Sequence, residues 1–368
     1  MATTFCSLPI VDLTPLKNPN GLRKEEQKSL ANQLYDVFVT TGFAYLVNYP
    51  LNFDHETLFD ITREFFALPI EEKMKLSKRS FCKDNLNTYR GYFPTQPDLA
   101  NDNLKEGFEI GPKHHCPQSS ISNGSTNPGN LKVNLSEPNV WLAPTIFPFR
   151  FKLEQLHSEL QSLASTLLSL FAIALNKEAD FFSPYLTDSL STLRLLHYPP
   201  NANPKLNPSI LQQETSPDAD SDSDTVKLCC PPHTDSGILT LLHQDATGGL
   251  EVQDSDGKWI AAPYVPGSIV VNIGDLMAKV SGGRFVATMH RVRAPPATAS
   301  SPSPGADDGM QQGLGMGRFS VPFFFEPGEE CAVRSVDDDI DGGGGTGALV
   351  YGDHVKAKMK TWVEFQGL

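Results

Sequence analysis

Apolar residues recur along this chain with two different periods, and the change from one to the other divides it. In the first half the spacing is helical. Leu30, Leu34, Val37 and Phe38 share one face within Arg23–Thr40, and Leu58, Ile61 and Phe65 share another in a helix that Asp54 is placed to cap. A longer stripe of Leu156, Leu160, Leu163, Leu167 and Phe171 runs through Phe151–Ala174 and reads as core packing rather than as a binding surface. From Thr192 to Phe325 the pattern becomes that of strands. Ser268–Asp275 and Thr288–Arg293 read as buried strands, and the run from His233 to Leu242 enters another. Gly248–Val252, Asp256-Gly257 and Lys258–Ile260 read as a hairpin with a type I′ turn. The last periodic segment, Gly352–Phe365, predicts a C-terminal helix beside the mouth of the barrel that the strands form.

Four stretches rich in Ser, Pro, Gly and Asp interrupt this plan: Pro117–Asn130, Pro208–Asp224, Ala294–Gly317 and Asp337–Gly347. They have too little apolar surface to order themselves and read as loop insertions. The expected organisation is one structural unit, with a helix-rich region over residues 1–180 and a β core over residues 181–368. Asp218, Asp220, Asp222 and Asp224 read as a solvated acidic loop, because a Ca²⁺ loop needs a glycine at its turn and a closing glutamate.

Composition narrows the class. With 368 residues, 39% of them hydrophobic, the chain can bury a large core within one domain. A net charge of −13 argues against nucleic acid and anionic membrane surfaces, which need clustered Lys and Arg. No apolar run approaches the roughly 20 residues of a membrane span, and Met1-Ala-Thr-Thr-Phe-Cys6 lacks the basic start and apolar core of a signal peptide. The expected compartment is the cytoplasm, with the six irregularly spaced cysteines reduced and the acceptor sequences at Asn123 and Asn134 unused.

The chemistry concentrates in three places: His233-Thr-Asp235, His290 some 55 positions later, and Arg318-Phe-Ser320. Residues two apart on a strand point the same way. Two imidazoles and one carboxylate are the facial set that holds non-haem Fe(II) and leaves its opposite face open. Arg318 and Ser320 also share a strand face, and a buried guanidinium forks onto a dicarboxylate. An open iron beside such a clamp implies oxidative chemistry with an oxo-acid co-substrate. Plainer readings exist for each residue: a surface pair for His233 and Asp235, a core histidine for His290, a structural salt bridge for Arg318. Their occurrence together favours the metal and the clamp. Cys230 makes a Cys-x-x-His spacing with His233, but no second pair completes a tetrahedral zinc site. His197 and His243 read as structural.

Further segments carry a family resemblance. Leu8–Asp12, Gly42–Asn48, Phe65–Pro69 with Glu71–Lys73, Tyr89–Pro94, Lys105–Gly111 and Leu193-Arg-Leu-Leu-His-Tyr-Pro-Pro200 are similar in order and form to those of one enzyme family. The chain resembles the isopenicillin N synthase-like branch of the iron and 2-oxoglutarate-dependent dioxygenases, in motif form closest to its fungal members. The resemblance implies a mainly β fold with flanking helices: a double-stranded β-helix (jelly-roll) barrel, an N-terminal helical and strand region, and a C-terminal helix. It implies Fe(II) on His233, Asp235 and His290, with 2-oxoglutarate held by Arg318, Ser320 and Tyr198. O₂ would be the second co-substrate and ascorbate a stimulant. The expected reaction is oxidation of a small molecule of secondary metabolism by a monomeric enzyme, with release of succinate and CO₂. Hydroxylation is the default outcome, desaturation and ring closure the variants. Relatives that keep Arg-x-Ser without consuming 2-oxoglutarate, and relatives that have lost their chemistry, remain as alternatives; a zinc-stabilised interaction protein lacks the ligands.

Three departures from the family pattern stand out: Cys230-Pro-Pro before the first ligand, Tyr49 in place of a histidine, and Ser236 where a pyrimidine hydroxylase has an aromatic residue. The last removes a stacking surface and speaks against a pyrimidine substrate. Strand parity sets Arg194 on the Tyr198 face, where a buried cation needs a partner. A polar group on the substrate is the favoured partner, a protein carboxylate the alternative. Phe93, Phe108 and Phe324 are the candidates for an apolar substrate wall.

Overall fold

The period-two segments form two facing sheets in the computed structural model, which describes residues 4–96, 104–113, 133–200, 228–294, 316–338, 349–360, 362 and 365. The larger sheet runs in the order β1 (Ile10–Asp12), β2 (Phe43–Val47), β10 (Ser268–Ile273), β7 (Leu239–Gln244), β12 (Arg318–Phe325), β5 (Thr192–Tyr198), β4 (Glu106–Ile110), β3 (Gly91–Phe93). The smaller runs β6 (Leu228–His233), β11 (His290–Arg293), β8 (Leu250–Gln253), β9 (Trp259–Ala261). A short pair, β13 (Ala332–Val333) and β14 (Leu349–Val350), stands apart. Within the two large sheets every pairing is antiparallel except β1 with β2. This is the expected jelly roll. Strands from before residue 180 (β1 to β4) and from after it share the larger sheet.

The helices are α1 (Lys24–Thr40), α2 (His55–Ala67), α3 (Ile70–Met74), α4 (Arg150–Ala174), α5 (Asp275–Val280) and α6 (Tyr351–Met359). Asp54 caps α2 as expected, its carboxylate accepting the Thr57 backbone N–H at 2.8 Å. The α4 stripe, Leu156 to Phe171, is buried, each leucine contributing roughly 1.5–3 kcal/mol. Phe171 meets Phe38 of α1 edge-on at 5.1 Å. The C-terminal helix is shorter than its pattern, ending at Met359 rather than Phe365.

Alternation in β5 and β12 divides the interior. Leu193, Leu195, Phe319, Val321, Phe323 and Phe325 belong to the core shared with α1, α2 and α4. The even-numbered residues of the same strands look the other way, towards the small sheet, and all but Thr192 line a cavity. The hairpin of β8 and β9 is present, but its turn is not type I′, because Gly257 is at φ +82° while Asp256 keeps a negative φ. Asp254 organises a longer loop instead, its carboxylate accepting the N–H groups of Asp256 (3.0 Å) and Lys258 (2.9 Å). Of the four polar stretches only Ala294, Met316, Gly317, Asp337 and Asp338 are described; the Asp218–Asp224 run and Asn123 lie outside the described residues.

Candidate active site

His233 ends β6, and antiparallel pairing brings it opposite His290, the first residue of β11. The two rings lie 4.2 Å apart between centroids. His233 Nδ1 sits 2.8 Å from the Pro231 carbonyl and His290 Nδ1 3.2 Å from that of Thr288. A carbonyl only accepts, so each Nδ1 carries a proton, and in the neutral ring the lone pair is on Nε2. Asp235 Oδ1 is 3.8 Å from His233 Nε2 and 3.7 Å from His290 Nε2. The three donor atoms all lie within 4.8 Å of one another, as atoms sharing one cation do.

Asp235 is steadied from behind. Its Oδ2 accepts from Thr240 Oγ1 at 2.5 Å and Asn272 Nδ2 at 2.8 Å, which leaves Oδ1 to face the histidines. Burial alone would raise its pKa. The charges of His290 and His233 and the bonds from Asn272 and Thr240 outweigh that, so the carboxyl sits below its ordinary value and is ionised. Burial, with His233 beside it, takes His290 down to about 4 and keeps it neutral. Burial also disfavours a charged His233, but Cys230 and Asp235 reverse the effect and bring it up to about 9. A metal ion binding there displaces that proton. Two neutral imidazole nitrogens and a carboxylate oxygen on rigid strands fit a divalent first-row metal.

The cavity beside these residues encloses about 560 Å³, its open mouth included. Arg318 lies at its floor with 1% exposure, held by Nε to the Gly248 carbonyl (2.6 Å) and by Nη1 to Ser320 Oγ (3.0 Å). Its guanidinium stacks 4.9 Å from the centre of the Tyr198 ring, as the β12–β5 register, Arg318 opposite Tyr198, dictates. Among the described residues no carboxylate forms an ion pair with Arg318. A buried cation of that kind is a receptor for an anion from outside.

The substrate-side expectations divide. Arg194 and Phe324 line the cavity, as strand parity requires. Arg194 is also ion-paired with buried Glu109, so a protein carboxylate is one partner of this cation. Phe93 lies behind the wall, with the Arg194 guanidinium 5.5 Å from its ring centre. Phe108 does not belong to the cavity: it faces the helices and stacks on Phe65 at 4.6 Å. Glu109, not Phe108, shares the cavity-side parity with Lys105 and Gly107. His197 is structural, held by Glu106 at 2.8 Å and stacked on Phe319. His243 is buried beside His55 and Tyr49.

Two family descriptions match this sequence, the 2OG-Fe(II) oxygenase superfamily over residues 190–327 and the non-haem dioxygenase N-terminal region over residues 8–144. A 2-oxoglutarate-dependent dioxygenase of Didymella fabae is 30% identical, over 91% of this chain and 90% of the relative. Clavatol oxidase of Penicillium crustosum is 31% identical, over 77% and 80%. The chain belongs to the 2OG-Fe(II) oxygenase superfamily. Its fold is similar to that of a full-length Neurospora crassa protein crystallised in complex with alpha-KG and thymine, with a TM-score of 0.70, 23% identity and 96% of each chain covered. This oxygenase is an enzyme that uses Fe(II) and 2-oxoglutarate to oxidise a small molecule.

Thr240, Asn272, Lys105 and Cys230 are cavity residues that sequence reasoning missed. Asn272 carried a signal, as the one amide within the buried strand Ser268–Ile273.

Proposed function

We propose that this oxygenase holds Fe(II) on His233, Asp235 and His290 and 2-oxoglutarate on Arg318, Ser320 and Tyr198, and that it oxidises a small organic substrate in secondary metabolism, by hydroxylation as the default outcome. The observation that carries this reading is a buried guanidinium with no carboxylate partner among the described residues, facing the same cavity as two imidazole nitrogens and a carboxylate oxygen that converge on one point. Bound iron and 2-oxoglutarate supply the oxidising power from O₂, with release of succinate and CO₂.

The protein's own part is binding, orientation and exclusion of water. Arg318 presents its charge to the distal carboxylate of 2-oxoglutarate, and Ser320 and Gly248 fix the plane of the guanidinium. Tyr198 closes one side of that clamp. Thr240 and Asn272 hold Asp235 so that only one of its oxygens turns to the metal. Phe43, packed edge-on against His290 at 5.3 Å, restrains that ring and keeps the wall dry. A net charge of −13 supports a small-molecule substrate in preference to nucleic acid.

Oxygen uptake by the Fe(II)-loaded protein, followed with and without 2-oxoglutarate together with succinate release, tests the reading. Uptake should depend on 2-oxoglutarate, and succinate should form from it even in slow uncoupled turnover. Uptake indifferent to 2-oxoglutarate would place the enzyme among oxidases that do without it.

A further inference from the structure

We propose that the substrate of this oxygenase is a small carboxylate with an apolar body, oriented by Arg194; the inference rests on the iron and 2-oxoglutarate reading above. Three observations carry it.

The first is position. Arg194 and Tyr198 lie on one face of β5, four residues and about 13 Å apart along the strand. Tyr198 is opposite Arg318, so the two cavity arginines stand at different levels. Thr192 is opposite Phe324, which is opposite Thr240, the residue that bonds Asp235. Arg194 is therefore only two residues, about 7 Å, along the strand from the row of Thr240, whose hydroxyl holds Asp235. An acid anchored at Arg194 brings carbons a few bonds from its carboxylate into the region of the three metal-binding side chains.

The second is preparation. The Arg194 guanidinium lies between the rings of Phe93 (5.5 Å) and Phe324 (5.1 Å) and is ion-paired to Glu109. Its side chain remains 15% exposed on the cavity side. A planar cation already fixed in this way loses little freedom when it receives a carboxylate.

The third is charge. The charged side chains lining the cavity are Lys105, Arg194, Arg318 and Asp235, three positive against one negative. Fe(II) and the doubly charged 2-oxoglutarate cancel one another. Glu109 does not neutralise Arg194 alone, because its other oxygen is paired at 2.5 Å with the fully buried Lys78. The lining thus carries more positive than negative side chains, and the aliphatic and aromatic surface beside them (Leu196, Leu242, Pro322, Phe324) suits an apolar substrate body. A carboxylate on such a body fits this wall.

Anaerobic titration calorimetry on the protein loaded with Fe(II) and saturating 2-oxoglutarate tests the proposal, with benzoate, 3-phenylpropanoate, hexanoate and octanoate as probes against their methyl esters. At least one acid should bind saturably and at least tenfold more tightly than its ester. Arg194→Met should weaken that acid at least tenfold, leaving the ester unchanged and 2-oxoglutarate binding within twofold. Arg194→Lys keeps the ion pair with Glu109 in case the Met variant melts early, and should give an intermediate loss because an ammonium has no planar fork. Saturable binding by none of the acids, equal binding of acids and esters, or undiminished acid binding by a folded Arg194 variant overturns the proposal. Absence of 2-oxoglutarate binding by the Fe(II)-loaded parent, measured first, overturns the reading of the site itself and this inference with it.

Discussion

Replacing Arg318 separates a co-substrate clamp from a structural salt bridge, because the two roles predict opposite changes in stability. Arg318 is buried, bonded to the Gly248 carbonyl and Ser320 Oγ, and has no carboxylate partner among the described residues. Losing one partner of a buried charge pair costs roughly 2–5 kcal/mol, much of it the penalty of leaving the other charge unpaired. Arg318→Lys keeps the charge but cannot make two bonds in one plane, so the lower part of that range applies. About 2–3 kcal/mol raises the 2-oxoglutarate concentration for half-saturation by about 30- to 140-fold, at 1.4 kcal/mol per tenfold. Arg318→Met should reach about a thousandfold or more by the same arithmetic. In the absence of 2-oxoglutarate the Met variant should melt no earlier than the parent, since no protein carboxylate is orphaned. A structural ion pair would instead lose about 3–5 kcal/mol of stability on truncation. The assay is succinate formation against 2-oxoglutarate concentration, with thermal melts of the metal-loaded proteins. An Arg318→Met variant that saturates with 2-oxoglutarate at the parental concentration, or that melts early with no co-substrate present, would refute the assignment.

Two further outcomes follow from named contacts. Asn272→Ala frees one oxygen of Asp235 and should weaken Fe(II) binding by about 10- to 100-fold without unfolding the protein, and unchanged affinity in a metal titration would remove Asn272 from the site. Glu326 is buried, and burial raises its pKa to about 7 against the opposing hydrogen bond from Tyr351. The folded state therefore favours the protonated acid, and this contribution to stability, complete below the unfolded value near 4.5, is lost as pH rises through 7. Glu326→Gln should gain about 3 kcal/mol on the parent between pH 4.5 and pH 8, and parallel melting profiles over that range would contradict it.

Much of this architecture was legible because strand parity is strict. Residues 194, 196 and 198 and residues 318, 320, 322 and 324 do share the cavity, as a period of two requires. At β4 parity alone does not choose the face: all five of its residues are buried, so hydrophobicity does not tell which side meets the cavity. Phe108, a candidate for the wall, lies on the opposite face from Lys105, which does line the cavity. The Asp256-Gly257 turn was misjudged because the dipeptide is a local signal, and the carboxylate of Asp254 imposed a longer loop. The pairing of Arg194 with Glu109 was out of reach, since the two are distant in sequence and meet only through the register of β4 with β5. Asn272 could have been found, because an amide inside an otherwise apolar buried strand needs a partner.

Iron stoichiometry after anaerobic loading and desalting tests the central assignment most directly, measured on the parent chain and on His290→Ala with thermal melts as the control for folding. His290 supplies one of three converging donors from a strand remote in sequence from the other two. The account predicts one Fe(II) per parent chain, and a folded His290→Ala protein that retains less than about a tenth of it, because two remaining ligands hold the ion too weakly. A folded His290→Ala protein that keeps one iron per chain would contradict the triad.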